Sequence, residues 1–489
     1  MAERIVVRTG RYADSVTLLQ VSRQVAELPG VQAAQVAMAT ELNRQLLAGL
    51  GFATPETGSA NDLLIAVRAG TDAELDAALA AAEQLLTAPR SGGTSAAELP
   101  PRTVGAAAAP GPGLAVISVP GQHAFTEAMD ALEAGCDVLL FSDNVPVAQE
   151  IALKDAAADR GLLVMGPDCG TAVVGGVGLG FANVVQDGPV GMVAASGTGA
   201  QQVLCLLDAA GVGVRAVLGV GGRDLSAEVA GRSTRAALRL FADDPATELI
   251  VLVSKPPADE VASALKDTAS QLGTPVRFAL LGAGRPDLTA ATEAVLAALR
   301  RPVPDWPAWL QPHSPARPGW LRGLFCGGTL CDEALLLASA ELGRVDSNIP
   351  LRPDWLLTDP LTVPPGSWLV DFGDDALTRG RAHPMIDPSL REEQLRRVLA
   401  DPGTAVVLLD VVLGHGAHPD PAATLVPIVA GAEVPVVVSL IGSRGDPQDF
   451  AGTAERLHAA GASVFLSNAA ATRHALGLLE PITQGDAGE

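Results

Sequence analysis

Short apolar segments alternate with helical stretches along most of the chain. Before residue 90, the alternation predicts three strands and three helices, at 5–7, 15–27, 31–38, 41–47, 63–67 and 72–86. The last of these helices begins with a capping box, because Glu74 follows Thr71 by three residues. We predict a small α/β domain over residues 1–90, followed by a linker over 88–113 that is rich in Ala, Gly and Pro.

Steady strand–helix alternation begins at Leu114. Short runs rich in Val, Leu and Ile are each followed by a helical stretch or a glycine turn: LAVISV, DVLLFS, LLVMG, VGMVAAS, RAVLGV, LIVLVS and VRFALLG. Near-continuous apolar strands separated by helices indicate a parallel sheet that is covered on both faces. In such sheets, ligands bind at the carboxyl ends of the strands.

Residues 301–319 form a second predicted linker, which is so rich in proline that a helix interior or a central strand is excluded. After it the alternation resumes and predicts another parallel α/β domain. The segments VAASGTGAQQVLCLL and GLFCGGTLCDEALLL share one pattern: a strand, a glycine among small residues, and an amphipathic helix. Whether the two domains are related as an internal repeat stays open at this point.

Composition narrows the functional classes. The chain has 489 residues and a formal net charge of −22, with 48% hydrophobic and 18% charged residues. This is a globular composition, and its acidic balance argues against binding to nucleic acid or to an anionic membrane. Five scattered cysteines form neither a disulfide framework nor zinc-ligand spacing, so no metal site is predicted. Without an apolar signal core or a spanning segment, the expected location is the cytoplasm.

Three loops carry candidate chemistry. Ser196, Gly197, Thr198 and Gly199 stand between a strand and a helix, where backbone amides and the helix dipole favour an anion such as phosphate. The alternative interpretation is a capped helix in a tight turn.

The second loop contains Gly414, His415, Gly416, Ala417 and His418, also after a strand. Its histidines could contact an anion, exchange a proton or hold a metal. The alternative is a pair of loop histidines whose hydrogen bonds are satisfied by the protein.

The third loop carries Arg379, Arg381 and His383 between acidic residues. It suits a phosphate or carboxylate substrate, with ion pairs at the surface as the alternative.

Further loops, at 166–171, 219–224 and 254–257, also follow strands and are expected to gather at one sheet edge. They supply the remaining candidate binding residues: Asp168, Cys169, Gly222, Arg223 and Lys255. Cys169 could act as a nucleophile. A buried, inert thiol is favoured, because no His or Lys lies near it in sequence to lower its pKa.

Several blocks resemble the FdrA family of succinyl-CoA synthetase-like proteins over residues 1–480: MGPDCGTAVVGGVGLGFANVV, VAASGTGAQ, LGVGGRDLS, VLVSKPP, FCGGTLCDEA, RAHPMIDPSLR and DVVLGHGAHPDPA. The resemblance implies an α/β fold with a truncated Rossmann-like, CoA-binding-domain-like region over 114–185. It further implies flavodoxin-like ligase-type domains over 186–300 and 320–480. In succinyl-CoA synthetase, a phosphorylated histidine lies between the N-termini of two helices. By similarity, Ser196–Thr198 matches one helix start and residues 414–420 match the other.

The chain departs from succinyl-CoA synthetase at several points. It lacks the glycine-rich CoA loop and an ATP-grasp module, and residues 280–285 contain no histidine where the phosphohistidine loop would be. Lys255 stands in place of an acid that contacts that histidine. CoA and ATP are therefore not expected as ligands, and a need for Mg²⁺ is left open.

The FdrA resemblance implies a subunit of an oligomeric carbamoyltransferase that works with further subunits. The reaction interconverts oxalurate plus phosphate with oxamate plus carbamoyl phosphate. In this hypothesis, amides near Ser196–Gly199 and Gly414–Ala417 hold phosphate, and Arg379 or Arg381 binds oxamate or oxalurate. One of the histidines 383, 415 and 418 moves the proton. The alternatives are an acyl-CoA synthetase subunit with a separate ATP-binding partner, and a non-catalytic metabolite-binding subunit.

Overall fold

The computed structural model describes residues 2–53, 59, 61–87, 101–108, 111, 113–312 and 317–479. The chain divides into two compact units. The first contains Met1–Glu98 and Phe372–Leu390, and the second contains Leu99–Asp371 and Arg391–Glu489. Most of the predicted linker over 88–113 lies outside the described residues, as does part of the linker over 301–319.

The strands are β1 (Ala2–Arg8), β2 (Val31–Met38), β3 (Leu63–Ala69), β4 (Gly113–Ile117), β5 (Cys136–Leu140), β6 (Val164–Met165), β7 (Thr171–Val174), β8 (Val177–Gly180), β9 (Val190–Ala195), β10 (Val214–Gly219), β11 (Leu249–Ser254), β12 (Val276–Leu280), β13 (Ala308–Trp309), β14 (Trp320–Phe325), β15 (Trp368–Asp371), β16 (Thr404–Val412), β17 (Val436–Ile441) and β18 (Ala462–Phe465).

The helices are α1 (Ser15–Ala26), α2 (Glu41–Gly49), α3 (Asp72–Thr87), α4 (Val104–Ala107), α5 (Gly121–Glu133), α6 (Val147–Arg160), α7 (Gly197–Ala209), α8 (Arg232–Asp243), α9 (Asp259–Ser270), α10 (Leu288–Ala298), α11 (Gly328–Leu342), α12 (Asp375–Thr378), α13 (Ser389–Ala400), α14 (Pro421–Val429), α15 (Phe450–Ala459) and α16 (Asn468–Gly477).

The first unit is a three-stranded antiparallel sheet in the order β1-β3-β2. Helices α1 and α3 cover one face around a core that includes Val25 and Ile65, and Leu47 and Phe52 belong to a cluster on the other face. The predicted capping box is formed, since the Thr71 amide donates to Glu74 and the Glu74 amide donates back to Thr71 Oγ1. The strands and helices predicted before residue 90 are all present.

The second unit contains three sheets. Strands β4, β5 and β6 form a small parallel sheet of their own, whereas a six-stranded sheet has the order β12-β11-β9-β10-β7-β8. Strands β9 to β12 are parallel, and β7 and β8 add an antiparallel hairpin at one edge. The apolar runs from LAVISV to VRFALLG are thus divided between two sheets, instead of sharing the single sheet that their pattern predicts. The α/β class itself is confirmed.

The third sheet has the order β13-β18-β17-β16-β14-β15, with all strands parallel except β13. Strand β13 comes from the proline-rich segment and lies at the edge, where a missing N–H does least harm. Its Trp309 ring packs edge-on against Phe450, with 5.8 Å between centroids. Part of the segment predicted as a linker therefore belongs to the sheet.

The first four parallel strands have the same order in the two six-stranded sheets. In each sheet the first of them lies between the second and the third: β10-β9-β11 in one sheet and β15-β14-β16 in the other. The order reverses beside β9 and beside β14, and such reversals are where open α/β sheets bind ligands. Helix α7 follows β9, helix α11 follows β14, and the two helices pack against each other. Among the described residues, no helix has both the length and the apolar character needed to cross a membrane.

Candidate functional site

The first helix start lies where β9 ends and α7 begins. Ser196 is the N-cap of α7, and its hydroxyl oxygen accepts a hydrogen bond of 3.0 Å from the Gly199 amide. The Ala200 amide donates to the Ser196 carbonyl. Within the part of the chain that the structure describes, the amides of Gly197 and Thr198 have no acceptor. These two N–H groups and the helix dipole favour a bound anion.

A second helix start faces the first. Helix α11 begins at Gly328 after the N-cap Gly327, and the Thr329 hydroxyl lies 2.6 Å from the Ser196 hydroxyl. This close approach requires glycine, because a Cβ added to Gly327 would lie 2.8 Å from Thr198 Oγ1. None of the described residues accepts a hydrogen bond from the Gly328 or Thr329 amide. The two helix starts therefore bring their unused amides to one place.

Lys255 follows β11 and lies at the second helix start. A Cβ added to Gly328 would lie 3.3 Å from Lys255 Nζ and 2.8 Å from Asp371 Oδ2. The ammonium attracts an anion to the amides, and the Asp371 carboxylate restricts where on the helix start that anion can bind. We call residues 196–199, Lys255 and residues 327–329 the α7–α11 site.

The Gly414–Ala417 loop was predicted to provide the second set of amides, and three of its amides have protein acceptors. The Gly414 amide donates to Gln448 Oε1 at 3.0 Å, and the His415 amide donates to the Ala182 carbonyl at 2.8 Å. The Ala417 amide lies 3.4 Å from the Gly414 carbonyl oxygen. Protein acceptors therefore occupy these N–H groups.

The rest of this loop is also held by the protein. A Cβ added to Gly416 would lie 3.0 Å from the Gly180 carbonyl oxygen, so the loop packs against the end of β8. The His418 ring accepts a hydrogen bond of 3.1 Å at Nδ1 from the Asp420 amide, and Asp420 is the N-cap of α14. These contacts favour a structural interpretation of the loop.

Asp410 holds the turn that precedes α11. Its two carboxylate oxygens accept hydrogen bonds from the Cys326 amide at 2.8 Å and the Gly327 amide at 3.0 Å. The Arg391 guanidinium donates to it at 2.7 Å, and both charged side chains are buried. Burial raises the pKa of Asp410, whereas Arg391 and the two amides oppose that shift. This buried pair fixes the backbone from which α11 starts.

Two acids in the first turns of α11 have perturbed pKa values. Burial raises the pKa of Asp332 to about 6, although the Lys255 charge opposes the shift. Burial also raises the pKa of Glu333 to about 7, against hydrogen bonds from the Leu288 amide and the Asn468 side chain. Asp332 therefore interacts electrostatically with the α7–α11 site and titrates near neutral pH.

Sequence reasoning selected Ser196–Gly199 and Lys255 but missed Gly327–Thr329, Asp371 and Asp410. The shared pattern of VAASGTGAQQVLCLL and GLFCGGTLCDEALLL was the signal for the second helix start. Asp410 lies in the middle of an apolar strand, and only the position of the neighbouring strand shows what it binds.

A separate cluster lies where β6 and β10 end. A Cβ added to Gly222 would lie 3.6 Å from Asp168 Oδ2, so the two predicted loops meet. Arg223 pairs with Glu150 at 3.0 Å, and Glu150 pairs with the buried Lys154 at 2.8 Å. The opposite charges neutralise one another, which favours a structural role.

Cys169 lies beside this cluster and is buried. Burial raises the pKa of its thiol to about 12, so the thiolate needed for nucleophilic attack is scarce at neutral pH. The geometry favours the interpretation of Cys169 as an inert thiol.

Arg379, Arg381 and His383 belong to the other compact unit, within Phe372–Leu390. The Arg381 guanidinium donates to Ser389 Oγ at 3.3 Å, and His383 Nδ1 accepts a hydrogen bond of 3.2 Å from the Met385 amide. The α7–α11 site is built from residues of the second unit alone.

Two segments of the chain match known protein families. Residues 1–101 match the family described as AllF, heavy metal-associated domain, and residues 324–478 match the CoA-ligase family. Over 461 residues, the chain is 39% identical to the uncharacterized protein YahF of Escherichia coli (strain K12), covering 88% of each protein. The chain belongs to the YahF family. Like the sequence pattern, these matches identify a succinyl-CoA synthetase-like protein, whereas the FdrA assignment stays a prediction.

Other relatives of this YahF-family chain are CoA ligases. It is 28% identical over 174 residues to the α subunit of an ADP-forming succinate–CoA ligase from Methanothermobacter thermautotrophicus, covering 35% of this chain and 58% of that protein. A corresponding Trichomonas vaginalis subunit is 29% identical, over 29% of this chain and 46% of its own length. The chain thus spans about half the length of these ligase subunits.

A solved structure titled as a Ca. Korarchaeum cryptofilum dinucleotide forming acetyl-coenzyme A synthetase 1, in complex with phosphate and ADP, also matches. The identity is 16% and the TM-score 0.30, covering 77% of this chain and 84% of that one.

The name of the N-terminal family raises the question of a metal, and the residues present do not fit one. Residues 1–101 contain neither cysteine nor histidine. Thiolates and imidazoles are the ligands that hold soft heavy metals. Among the described residues, no group of three or more His, Cys, Asp or Glu side chains could hold a metal ion.

Proposed function

We propose that this YahF-family chain is the acyl phosphate-binding subunit of an acyl-CoA ligase-type enzyme. The observation that carries the proposal is the contact between Ser196 and Thr329, which joins two helix starts whose first amides have no protein acceptor. Such amides, fixed before the ligand arrives, stabilise a phosphate group without reorganising solvent. The CoA-ligase match over residues 324–478 includes the α11 start and supports the same assignment.

The proposed chemistry places an acyl phosphate at the α7–α11 site. A thiol sulfur attacks the acyl carbon; the sulfur–carbon bond forms as the carbon–oxygen bond to phosphate breaks, and the electron pair leaves on the phosphate oxygen. The amides of Gly197, Thr198, Gly328 and Thr329 and the Lys255 ammonium stabilise the departing dianion. We assign acceptance of the thiol proton to Asp332, because its carboxylate lies close enough to the site for the Lys255 charge to act on its pKa.

The nucleotide must come from another polypeptide under this proposal. The chain matches the α subunits of succinate–CoA ligases, and its sequence contains no segment that resembles an ATP-grasp module. We therefore expect a complex in which a partner subunit uses ATP to make the acyl phosphate.

A carbamoyltransferase is the second candidate, and one observation favours it. Residues 280–285 begin at the last residue of β12 and, by the resemblance to succinyl-CoA synthetase, correspond to the phosphohistidine loop; they contain no histidine. Transfer of a carbamoyl group from carbamoyl phosphate to oxamate needs neither phosphohistidine nor CoA. The α7–α11 site would hold the phosphate of carbamoyl phosphate as it would hold that of another acyl phosphate.

Calorimetry of the purified full chain with inorganic phosphate tests the shared part of both candidates. Ser196→Ala should weaken binding, whereas Ser467→Ala should not. Ser467 is a matched control, because it also caps a helix and lies 2.6 Å from a threonine hydroxyl, that of Thr289. Equal phosphate affinity in both variants contradicts the proposal.

Assays of the chain purified with the products of neighbouring genes separate the candidates. Hydroxamate formation that requires ATP, CoA and a carboxylic acid supports the ligase. Phosphate-dependent cleavage of oxalurate supports the carbamoyltransferase. Phosphate binding without turnover in either assay identifies a non-catalytic metabolite-binding subunit.

A further inference from the structure

Residues 1–101, here called the N-terminal unit, lack the side chains that usually hold soft metal ions. It matches a family named for heavy metals, yet residues 1–101 lack every cysteine and histidine of the chain. A soft metal ion would have to be held by carboxylates and backbone oxygens, which it binds poorly.

Several carboxylates of this unit are already engaged. Asp62 accepts hydrogen bonds from the Gly10 amide at 2.9 Å and the Ser59 amide at 2.7 Å, and these bonds lower its pKa. Glu83 pairs with Arg8 and with Arg11.

Other acids of the unit are paired too. Asp76 pairs with Arg4 at 2.7 Å, and Glu3 pairs with Arg68 at 2.7 Å. Carboxylates neutralised by arginine are poor ligands for a hard cation as well.

What the unit does hold is a distant part of its own chain. The buried Asn43 side chain donates from Nδ2 to the Gly380 carbonyl at 2.9 Å and to the Met38 carbonyl at 2.8 Å. A Cβ added to Gly380 would lie 2.7 Å from Thr40 Cγ2, and Gly380 has a φ of +74°. The start of α2 therefore fits the backbone of Phe372–Leu390 closely.

We infer that the N-terminal unit is a metal-free docking module for residues 372–390 of its own chain. The segment leaves the third sheet after Asp371, whose carboxylate lies at the α11 start. It returns at Arg391, which pairs with Asp410. Docking thus anchors the middle of a segment that begins after β15 and ends in the first turn of α13.

The metal arm of the test uses the full chain. We expect only substoichiometric metal in mass spectrometry after incubation with Zn²⁺ or Cu⁺ and desalting against a chelator. One retained equivalent overturns the inference. The chain's cysteines are all buried and unpaired, so folding of each sample is checked before the measurement.

The docking arm follows residues 372–390 by hydrogen exchange and by trypsin cleavage after Arg379 and Arg381. Asn43→Asp removes the donor to Gly380, and Gly380→Ala forces a Cβ against Thr40. Each should speed exchange and cleavage in the segment roughly tenfold, because a lost buried contact raises the open population.

Two matched controls isolate the contacts. Gln45→Glu makes the same amide-to-carboxylate change on the exposed side of α2. Gly10→Ala strains a glycine of similar φ, +63°, whose added Cβ meets nothing within 4 Å. Protection of residues 372–390 should be retained in both controls. Unchanged protection in Asn43→Asp and Gly380→Ala overturns the docking assignment.

Discussion

The hydroxyl oxygens of Ser196 and Thr329, 133 residues apart in the chain, lie 2.6 Å from each other. Ser196 is the N-cap of α7, which follows β9, and Thr329 lies in the first turn of α11, which follows β14. Strands β9 and β14 are the strands beside which the order of each sheet reverses. The hydrogen bond therefore ties together the two places at which the sheets are expected to bind ligands.

We expect Ser196→Ala and Thr329→Val each to lower the free energy of unfolding by about 1–2 kcal/mol, through loss of the cap and of a buried hydrogen bond. Urea denaturation of the double variant should show a smaller loss than the sum, since both changes remove one shared bond. Strict additivity would mean that the two hydroxyls do not interact in solution.

Lys255→Met should weaken binding of inorganic phosphate by roughly 10- to 100-fold, because a charge-assisted contact is removed. The salt dependence of binding should also become shallower. Lys266→Met is the control, since Lys266 is exposed on α9. Calorimetry at two salt concentrations measures both effects, and equal losses in the two variants would refute the role of Lys255.

Asp410→Asn should lower the free energy of unfolding by about 3–5 kcal/mol, because it leaves the buried Arg391 charge without its partner. Asp76→Asn is the same change in an exposed pair, since the side chains of Asp76 and its partner Arg4 are 63% and 50% exposed. We expect a loss there of about 1 kcal/mol. Comparable losses would show that the Asp410 pair is not buried in solution.

Glu333 gives stability a pH dependence. Burial raises its pKa from 4.5 to about 7, so the folded chain binds this proton more tightly than the unfolded chain does. The stabilisation that protonated Glu333 gives the folded chain is complete below 4.5, the pKa of this group in the unfolded chain. It is lost as the pH rises through about 7, the pKa in the folded chain. From this group, the free energy of unfolding should fall by about 3 kcal/mol between about pH 4.5 and about pH 8.

Glu333→Gln should flatten that dependence in urea unfolding curves, whereas Glu341→Gln, an exposed change on the same helix, should not. Asp332 contributes a slope of the same sign, so some dependence remains in Glu333→Gln. If the free energy of unfolding of Glu333→Gln falls with pH as steeply as that of the unchanged protein, Glu333 is not the source of the pH dependence.

The cysteines should resist modification. All five are buried, and burial raises the pKa of Cys169 to about 12. We expect no fast reaction with a thiol reagent at neutral pH in the native protein, and reaction of all the thiols after unfolding in guanidinium. A single native thiol that reacts quickly, mapped to Cys169 by peptide mass spectrometry, would restore it as a candidate nucleophile.

The local pattern was sufficient to predict the α/β class and the elements of the first unit, because apolar alternation and capping residues act over a few positions. It was not sufficient to divide the strands between sheets. The runs before and after Gly166 look alike, although β6 and β9 belong to different sheets.

The candidate site shows the same limit. Ser196 and Lys255 could be chosen because each follows a strand in an open α/β pattern. The Gly414 loop satisfies the same rule, and nothing local shows that Gln448 and Ala182 use its amides. Which strand end faces which helix depends on contacts between residues far apart in sequence.

The bond between Asn43 and Gly380 spans 337 residues. A ribosome that adds roughly 5–20 residues per second needs roughly 20–70 s to travel that distance. Throughout this interval the start of α2 has left the ribosome, but the backbone around Gly380 that it binds has not yet been synthesised. The first unit to be synthesised is consequently among the last to be completed, and any chain that terminates before residue 380 never completes it.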